Sequence, residues 1–298
     1  MYHSVCISCE TEDSKEISSI GRQGLNIRTV TCKKCGLVYT NPRLDKDEND
    51  MFYKYFYKIF FRGEDTPSER HLSNQKKKAK ECINDLKQNN IDMSSINSVL
   101  DVGCSAGGML KYFRDVGVET TTGIEPSINF SEYARNNLDL DVHTTTLEEY
   151  LEENSGQKFD LLIMRDVVEH LLDPRQALQD VRKILHKDSI LFIETNNVFK
   201  SLNPTLKYNY QFHYSHPYIF SENTLTRVLG QTGFKTIFTR DNRYLTAIAK
   251  FTTEDQLDLP HDDYKSVLRH IKNHDKFLWF TNIIFKLRVM IAKLRRRS

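Results

Sequence analysis

Four of the six cysteines fall within the first 35 residues, as Cys6-x2-Cys9 and Cys32-x2-Cys35. Two such pairs set four thiolates on two tight turns, the arrangement that closes a tetrahedron around zinc. Residues 1–44 therefore read as a zinc ribbon with Cys6, Cys9, Cys32 and Cys35 as ligands. Gly36 follows the last cysteine directly, where a turn with positive φ suits a residue without Cβ. Two disulfides or a redox pair are the alternatives. Against them, the N-terminus MYHSVCISCE lacks the basic-then-apolar pattern of a secretory signal, and no strand–helix redox context surrounds the pairs.

A second constellation begins at residue 98. The apolar run SVLDV leads straight into the loop Asp101-Val-Gly103-Cys104-Ser105-Ala-Gly107-Gly108 and then into the helical stretch MLKYFRDV. Small residues at the carboxyl end of a strand let a ligand approach the backbone and the following helix N-terminus. Glu125 lies 18 residues beyond Gly107, after the next apolar run, where a carboxylate can hold the two hydroxyls of a ribose. The loop is not G-x-G-x-x-G, which weighs against a dinucleotide oxidoreductase.

The elements that must position these residues follow from the hydrophobic pattern. SVLDV, TTGIE, LDVHT, FDLLIM and SILFIE are short apolar runs separated by amphipathic stretches, which predicts a parallel sheet flanked by helices. KTIFTR and YLTAIAK, joined around Asp241-Asn242-Arg243, predict an antiparallel edge hairpin. Between the ribbon and this core, residues 45–97 are charged and aromatic. There, QKKKAKECINDLKQ places Ala79, Cys82, Ile83 and Leu86 at helical spacing, with its lysines read as a solvated face.

In order, VLDVGCSAGG, TTGIEPS, FDLLIMRDVVEHLLDP and LFIETNN resemble the class I S-adenosylmethionine-dependent methyltransferases over residues 98–250. The resemblance implies a Rossmann-like α/β fold, with a seven-stranded, mostly parallel sheet and the methyl donor over the carboxyl ends of its first two strands. It also implies roles. Asp101 lies near the methionine end of the donor, and Gly103, Ser105 and Gly107 form the loop that admits it. Glu125 binds ribose, Thr145, Thr146 and Leu147 contact adenine, and Arg165 and Asp166 line the methyl-transfer mouth. Ser105 departs from the family, which usually has glycine there. The ribbon and core together, with CxxCGLVYTNPR at the junction, resemble zinc-ribbon methyltransferases of sugars and cell-surface polysaccharides. Sugar C-methyltransferases of that group have a large further C-terminal domain where only a short tail follows residue 250 here, which turns the expectation toward O-methylation of a nucleotide-linked or lipid-linked sugar. The competing readings are an RNA methyltransferase and an inactive donor-binding protein.

Methyl transfer to a hydroxyl requires orientation and a base. The candidates are His216 and His213 in YNYQFHYSHPYIFS, and His170 and Glu169 in EHLLDP, with Asp166 as an alternative that orients the acceptor. His216 begins a stretch that resembles the family's HxxxFS segment. Each histidine has the alternative of a hydrogen-bonded structural role. Phe52, Tyr53, Tyr55, Phe56 and Tyr57 offer either a lid over the donor or ordinary packing between domains.

Charge separates the chain's end from its body. Residues 276–298 hold seven basic residues and no acid, so that a formal net charge of +2 leaves the preceding 275 residues at about −5. An acidic body argues against nucleic acid as the main partner. In the tail, Phe277, Trp279, Phe280, Ile283, Ile284, Leu287, Met290, Ile291 and Leu294 fall on a helical face of about 160°. Residues 251–298 are accordingly expected to form a basic amphipathic tail that lies in an anionic membrane interface or packs on the core or on a second copy of the chain. No apolar run before residue 276 approaches the roughly 20 residues of a membrane span. The resulting expectation is a cytoplasmic enzyme peripheral to the inner face of the membrane, compatible with a homo-oligomer.

Overall fold

The computed structural model describes residues 2–56, 66–154, 156–200, 205–252 and 263–295, with side chains of the last segment described up to Trp279. Of the expected lid, Tyr57 and the side chain of Phe56 lie outside the described residues, as do the tail side chains from Phe280 onward.

The predicted apolar runs become strands of one sheet. These are β4 (Ser98–Val102), β5 (Thr120–Ile124), β6 (Asp141–His143), β7 (Phe159–Arg165) and β8 (Leu185–Asn196), with the hairpin β10 (Phe234–Asp241) and β11 (Tyr244–Phe251). Their order is β10-β11-β8-β7-β4-β5-β6, and only β10 and β11 run antiparallel to their neighbours. This is the α/β Rossmann-like methyltransferase fold. Leu100 and Val102 pack into one apolar cluster while Val99 packs into the other, and Leu162 and Ile163 divide in the same way. Burial on both faces explains why these strands read as continuous apolar runs rather than alternating ones. β4 is flanked by β5 on one side and β7 on the other. That position is the switch point at which open α/β sheets bind ligands beyond their carboxyl ends.

The helices used below are α1 (Lys46–Met51), α2 (Glu69–Gln88), α3 (Gly108–Asp115), α4 (Ile128–Leu138), α5 (Leu147–Glu153), α6 (Pro174–Asp180), α7 (Glu222–Gln231) and α8 (Tyr264–Arg295). Ala79, Cys82, Ile83 and Leu86 of α2 are buried on the sheet, as their spacing predicts.

The cysteine-rich segment contributes β1 (Ser14–Ile20), β2 (Asn26–Cys32) and β3 (Val38–Thr40) to a second sheet, whose fourth strand is β9 (Tyr218–Ile219). The HPYIFS stretch thus pairs with β3, Val38 opposite Ile219 and Tyr39 opposite Tyr218. Cys6, Cys32 and Cys35 belong to the same apolar cluster as Leu100, Met164 and Leu225. Gly36 has φ of +83°, and a Cβ there would stand 2.6 Å from the backbone of Asp263 and Tyr264. The glycine both makes the knuckle turn and admits the start of α8, where Asp263 donates its backbone N–H to the Cys35 carbonyl.

Candidate active site

At the end of β4 the backbone turns through left-handed residues, with φ of +71° at Gly103, +53° at Ser105 and +77° at Gly107. Gly103 and Cys104 donate to the Ile124 carbonyl, which ties the loop to β5. A Cβ on Gly103 would meet Val167 at 2.8 Å, and one on Gly107 would meet Leu140 at 2.5 Å. Ser105 shows why glycine is usual at its position: a left-handed conformation costs an L-residue roughly 1–2 kcal/mol. Its hydroxyl is 3.1 Å from Nε2 of His71.

Glu125 is buried, and each of its oxygens receives a backbone N–H, Oε2 from Ser105 at 2.9 Å and Oε1 from Ser127 at 2.8 Å. The carboxylate therefore stitches the β4 loop to the β5 turn. Asp101 is buried below the loop. Burial pushes its carboxyl up to about 7, against the pull of Arg165 and with the push of Glu125.

Both carboxylates face one cavity of about 650 Å³, whose walls also include Gly103, Ser105, Thr146, Leu147, Arg165, Asp166 and His170. Thr146 caps α5 by accepting from the Glu149 N–H, with Glu149 reaching back to the Thr146 N–H. Gly107 serves as N-cap of α3.

The opposite wall departs from the solvated face expected for the α2 lysines. His71, Asn74, Gln75 and Lys78 all line the cavity. Gln75 donates to the Cys104 carbonyl at 2.9 Å and accepts from the Gly108 N–H at 3.0 Å, clamping both ends of the loop. Lys78 reaches Glu194 at 3.3 Å, and Arg165 pairs with the same carboxylate. Their 71–74–75–78 spacing puts these residues on one helical face, but a polar face carries no mark in the sequence of whether it meets water or a cavity.

Three imidazoles gather beside the cavity, of which His170 lines its wall while His213 and His216 lie behind it. The rings of His170 and His216 are 4.4 Å apart and those of His216 and His213 3.9 Å apart. Ligand-type atoms of Glu169, His170 and His216 lie within 4.8 Å of one another. Tyr53, from the turn after α1, places its hydroxyl 2.7 Å from His170 Nδ1 and donates to the Ser215 carbonyl at 2.8 Å. The same carbonyl contacts His170 Nδ1. Asn196 Nδ2 lies 2.9 Å from His216 Nδ1. Burial, then His213 and His170, hold His216 well below the ordinary imidazole range, while burial and the Asp166 carboxylate push Glu169 up to about 8.

The raised carboxyls make a prediction for stability. Asp101 binds its proton more tightly folded than unfolded, so its contribution is present below about pH 4 and is lost as pH rises through about 7. Thermal melts of the donor-free protein are expected to show Asp101→Asn gaining on the wild type between pH 5 and about 8. A constant difference between the two would contradict the assignment of the shift to this carboxyl.

Residues 66–238 match the family model for the methyltransferase domain. The chain belongs to that family. It is 32% identical over 117 residues to the ubiquinone biosynthesis O-methyltransferase of Actinobacillus pleuropneumoniae serotype 5b (strain L20), covering 37% of this chain and 47% of that one. It is 31% identical over 114 residues to the protein of the same name from Caulobacter vibrioides, covering 37% and 42%. The chain thus spans less than half the length of these relatives. Among solved structures, the PH0226 protein of Pyrococcus horikoshii OT3 shares the fold with a TM-score of 0.50 at 16% identity, over 67% of this chain and all of that one.

These relatives correct the expected acceptor. The glycan hydroxyl inferred from the ribbon-plus-core resemblance is overturned, because the curated relatives are named for a small-molecule quinone pathway. The RNA alternative falls with it. The resemblance misled because the ribbon lies outside the matched 66–238 region, and four clustered cysteines carry no information about an acceptor.

Proposed function

We propose that this chain transfers the methyl group of S-adenosylmethionine to a hydroxyl of a small aromatic acceptor of the quinone-precursor kind. The observation that carries the reading is the single cavity whose walls include both the donor loop, with Asp101 and Glu125, and the acid–base groups Asp166 and His170. The names of the curated relatives support the acceptor class.

In this reading Gly103, Ser105 and Gly107 shape the loop around the donor, Glu125 takes the ribose hydroxyls, and Thr146 and Leu147 border the adenine. Ionised Asp101 faces the donor's ammonium, and Arg165, held by Glu194, keeps the mouth rigid. His170 is the base. A proton on its Nδ1, directed at the Ser215 carbonyl, leaves Nε2 as the basic nitrogen. The acceptor oxygen attacks the methyl carbon in line as the carbon–sulfur bond breaks, and the hydroxyl proton passes to His170. Asp166 orients the acceptor. His216, kept neutral by its surroundings, packs on His170 and holds its ring. In the same reading Tyr53, which lines the cavity and contacts His170, serves as a lid residue.

The test of the acceptor is mass spectrometry after incubation with donor and matched panels of ortho-dihydroxylated aromatics and nucleotide sugars. Methylation within the aromatic panel supports the reading, and methylation confined to sugars overturns it.

The four cysteines fit a structural zinc. Cys6 and Cys35 have their sulfurs 3.7 Å apart, close to the separation of about 3.8 Å that zinc–sulfur bonds of about 2.3 Å give in a tetrahedron. All four thiol groups lie within 4.8 Å of one another, and Lys34 directs its backbone N–H at the Cys32 sulfur at 3.4 Å. Such a metal would hold the two knuckles and, through the β3–β9 pairing, brace the segment that carries His213 and His216. Elemental analysis is expected to find one zinc per chain, lost on replacing Cys35 by serine together with a lowered melting temperature. Metal-free native protein with an unchanged melt after chelation would refute this.

A further inference from the structure

Over its described side chains, Tyr264 to Trp279, α8 has two faces, and the structure buries only one. Val267, Ile271 and Leu278 are buried against the body. Lys265, Arg269, Lys272, Lys276, Phe277 and Trp279 are exposed. At about 100° per residue these six share the side of the helix opposite the buried positions. Over its first three turns the outer side is therefore a basic stripe. It then changes character, with Phe277 67% and Trp279 66% exposed. Positions 280, 283, 284, 287, 290, 291 and 294, all apolar in sequence, continue on that same side, and 276–298 contains no acid.

We propose that this outer side of α8 docks on an anionic lipid surface, with the basic stripe at the phosphates and the Phe277–Trp279 end inserted at the headgroup boundary. Charge complementarity chooses this occupant. A second copy of the same face would oppose like charges, because Lys265, Arg269, Lys272 and Lys276 have no acid on the described part of the stripe to pair with across a two-fold axis. A tryptophan beside cations at the edge of an apolar run suits the membrane interface, where its ring is half apolar and half wet. Among the described residues no helix is long and apolar enough to cross a bilayer, so the contact is one of lying on the surface. The proposal is independent of the acceptor assigned above.

The chain's single tryptophan is Trp279, so the full-length protein reports the contact without labelling. Vesicles of phosphatidylcholine with phosphatidylglycerol are expected to shift its emission to the blue and to co-sediment the protein. Neutral phosphatidylcholine should do neither at the same lipid concentration. Lys265→Gln and Lys272→Gln should each weaken binding about fivefold at low salt, and Phe277→Ala should weaken it at all salt concentrations. These exposed positions are outside the cavity, so donor affinity of each variant should stay that of the wild type. An emission unmoved by anionic vesicles overturns the proposal. So does a blue shift that depends on protein concentration without lipid, which would mean self-association, or one produced by single-stranded oligonucleotides but not by vesicles.

Discussion

His170→Ala lowers turnover by about a hundredfold or more while donor affinity stays within a factor of about two. The magnitude is that of removing a general base from a hydroxyl-directed transfer, and the selectivity follows from position. His170 lines the acceptor end of the cavity, while the donor loop is held by Glu125, Gln75 and the Ile124 carbonyl. Single-turnover rates and calorimetry with the donor separate the two quantities. Because a neutral imidazole does the work, the wild-type rate should rise with pH as His170 loses its proton, and this acidic limb should vanish in the variant. Tyr53→Phe provides the companion result: it leaves the base in place but removes one of the contacts at Nδ1, so it should lower turnover less and displace the limb rather than abolish it. If His170→Ala keeps full turnover, His216 or Asp166 becomes the group to test.

Glu125→Ala weakens donor binding by about ten- to a hundredfold, the cost of losing charge-assisted hydrogen bonds worth roughly 1.5–3 kcal/mol. The structure adds a second consequence. With both oxygens accepting from Ser105 and Ser127, the alanine variant also orphans two buried N–H groups, and the melting temperature should fall even without donor. Glu125→Gln keeps an acceptor for one of them and should recover part of the stability but little of the affinity. Calorimetry showing unchanged donor affinity in Glu125→Ala would contradict the placement of the donor.

These two residues illustrate what could be read from the chain and what could not. The strand-loop-helix unit around Asp101 and the carboxylate at Glu125 were legible because parallel strands buried on both faces leave unbroken apolar runs, and because their ends carry residues too small for anything but a close approach. Gly36 was legible for a similar reason, as a positive φ beside a metal-type knuckle. The α2 wall was not. His71, Gln75 and Lys78 sit on a polar helical face, and nothing in the local pattern distinguishes a polar face turned to water from one turned to a cavity. β9 was equally hidden, since a two-residue strand has no period of its own and exists only because β3 offers Val38 and Tyr39 an edge to pair with. Glu194 stood in the LFIETNN run, yet its partners Arg165 and Lys78 come from separate elements and meet only in the fold. The acceptor was misjudged for a different reason: the cavity draws its walls from α1, α2, β7 and α6 among other elements, and a motif at residues 1–44 does not describe them.

The most direct test of the account is transfer of an isotopically labelled methyl group from S-adenosylmethionine to an ortho-dihydroxylated aromatic acceptor, followed by mass spectrometry of the product. The account predicts one label per acceptor, on oxygen, with the label lost in His170→Ala protein that still binds donor. Label delivered to carbon, or to a nucleotide sugar while the aromatic acceptor stays unmodified, would contradict it.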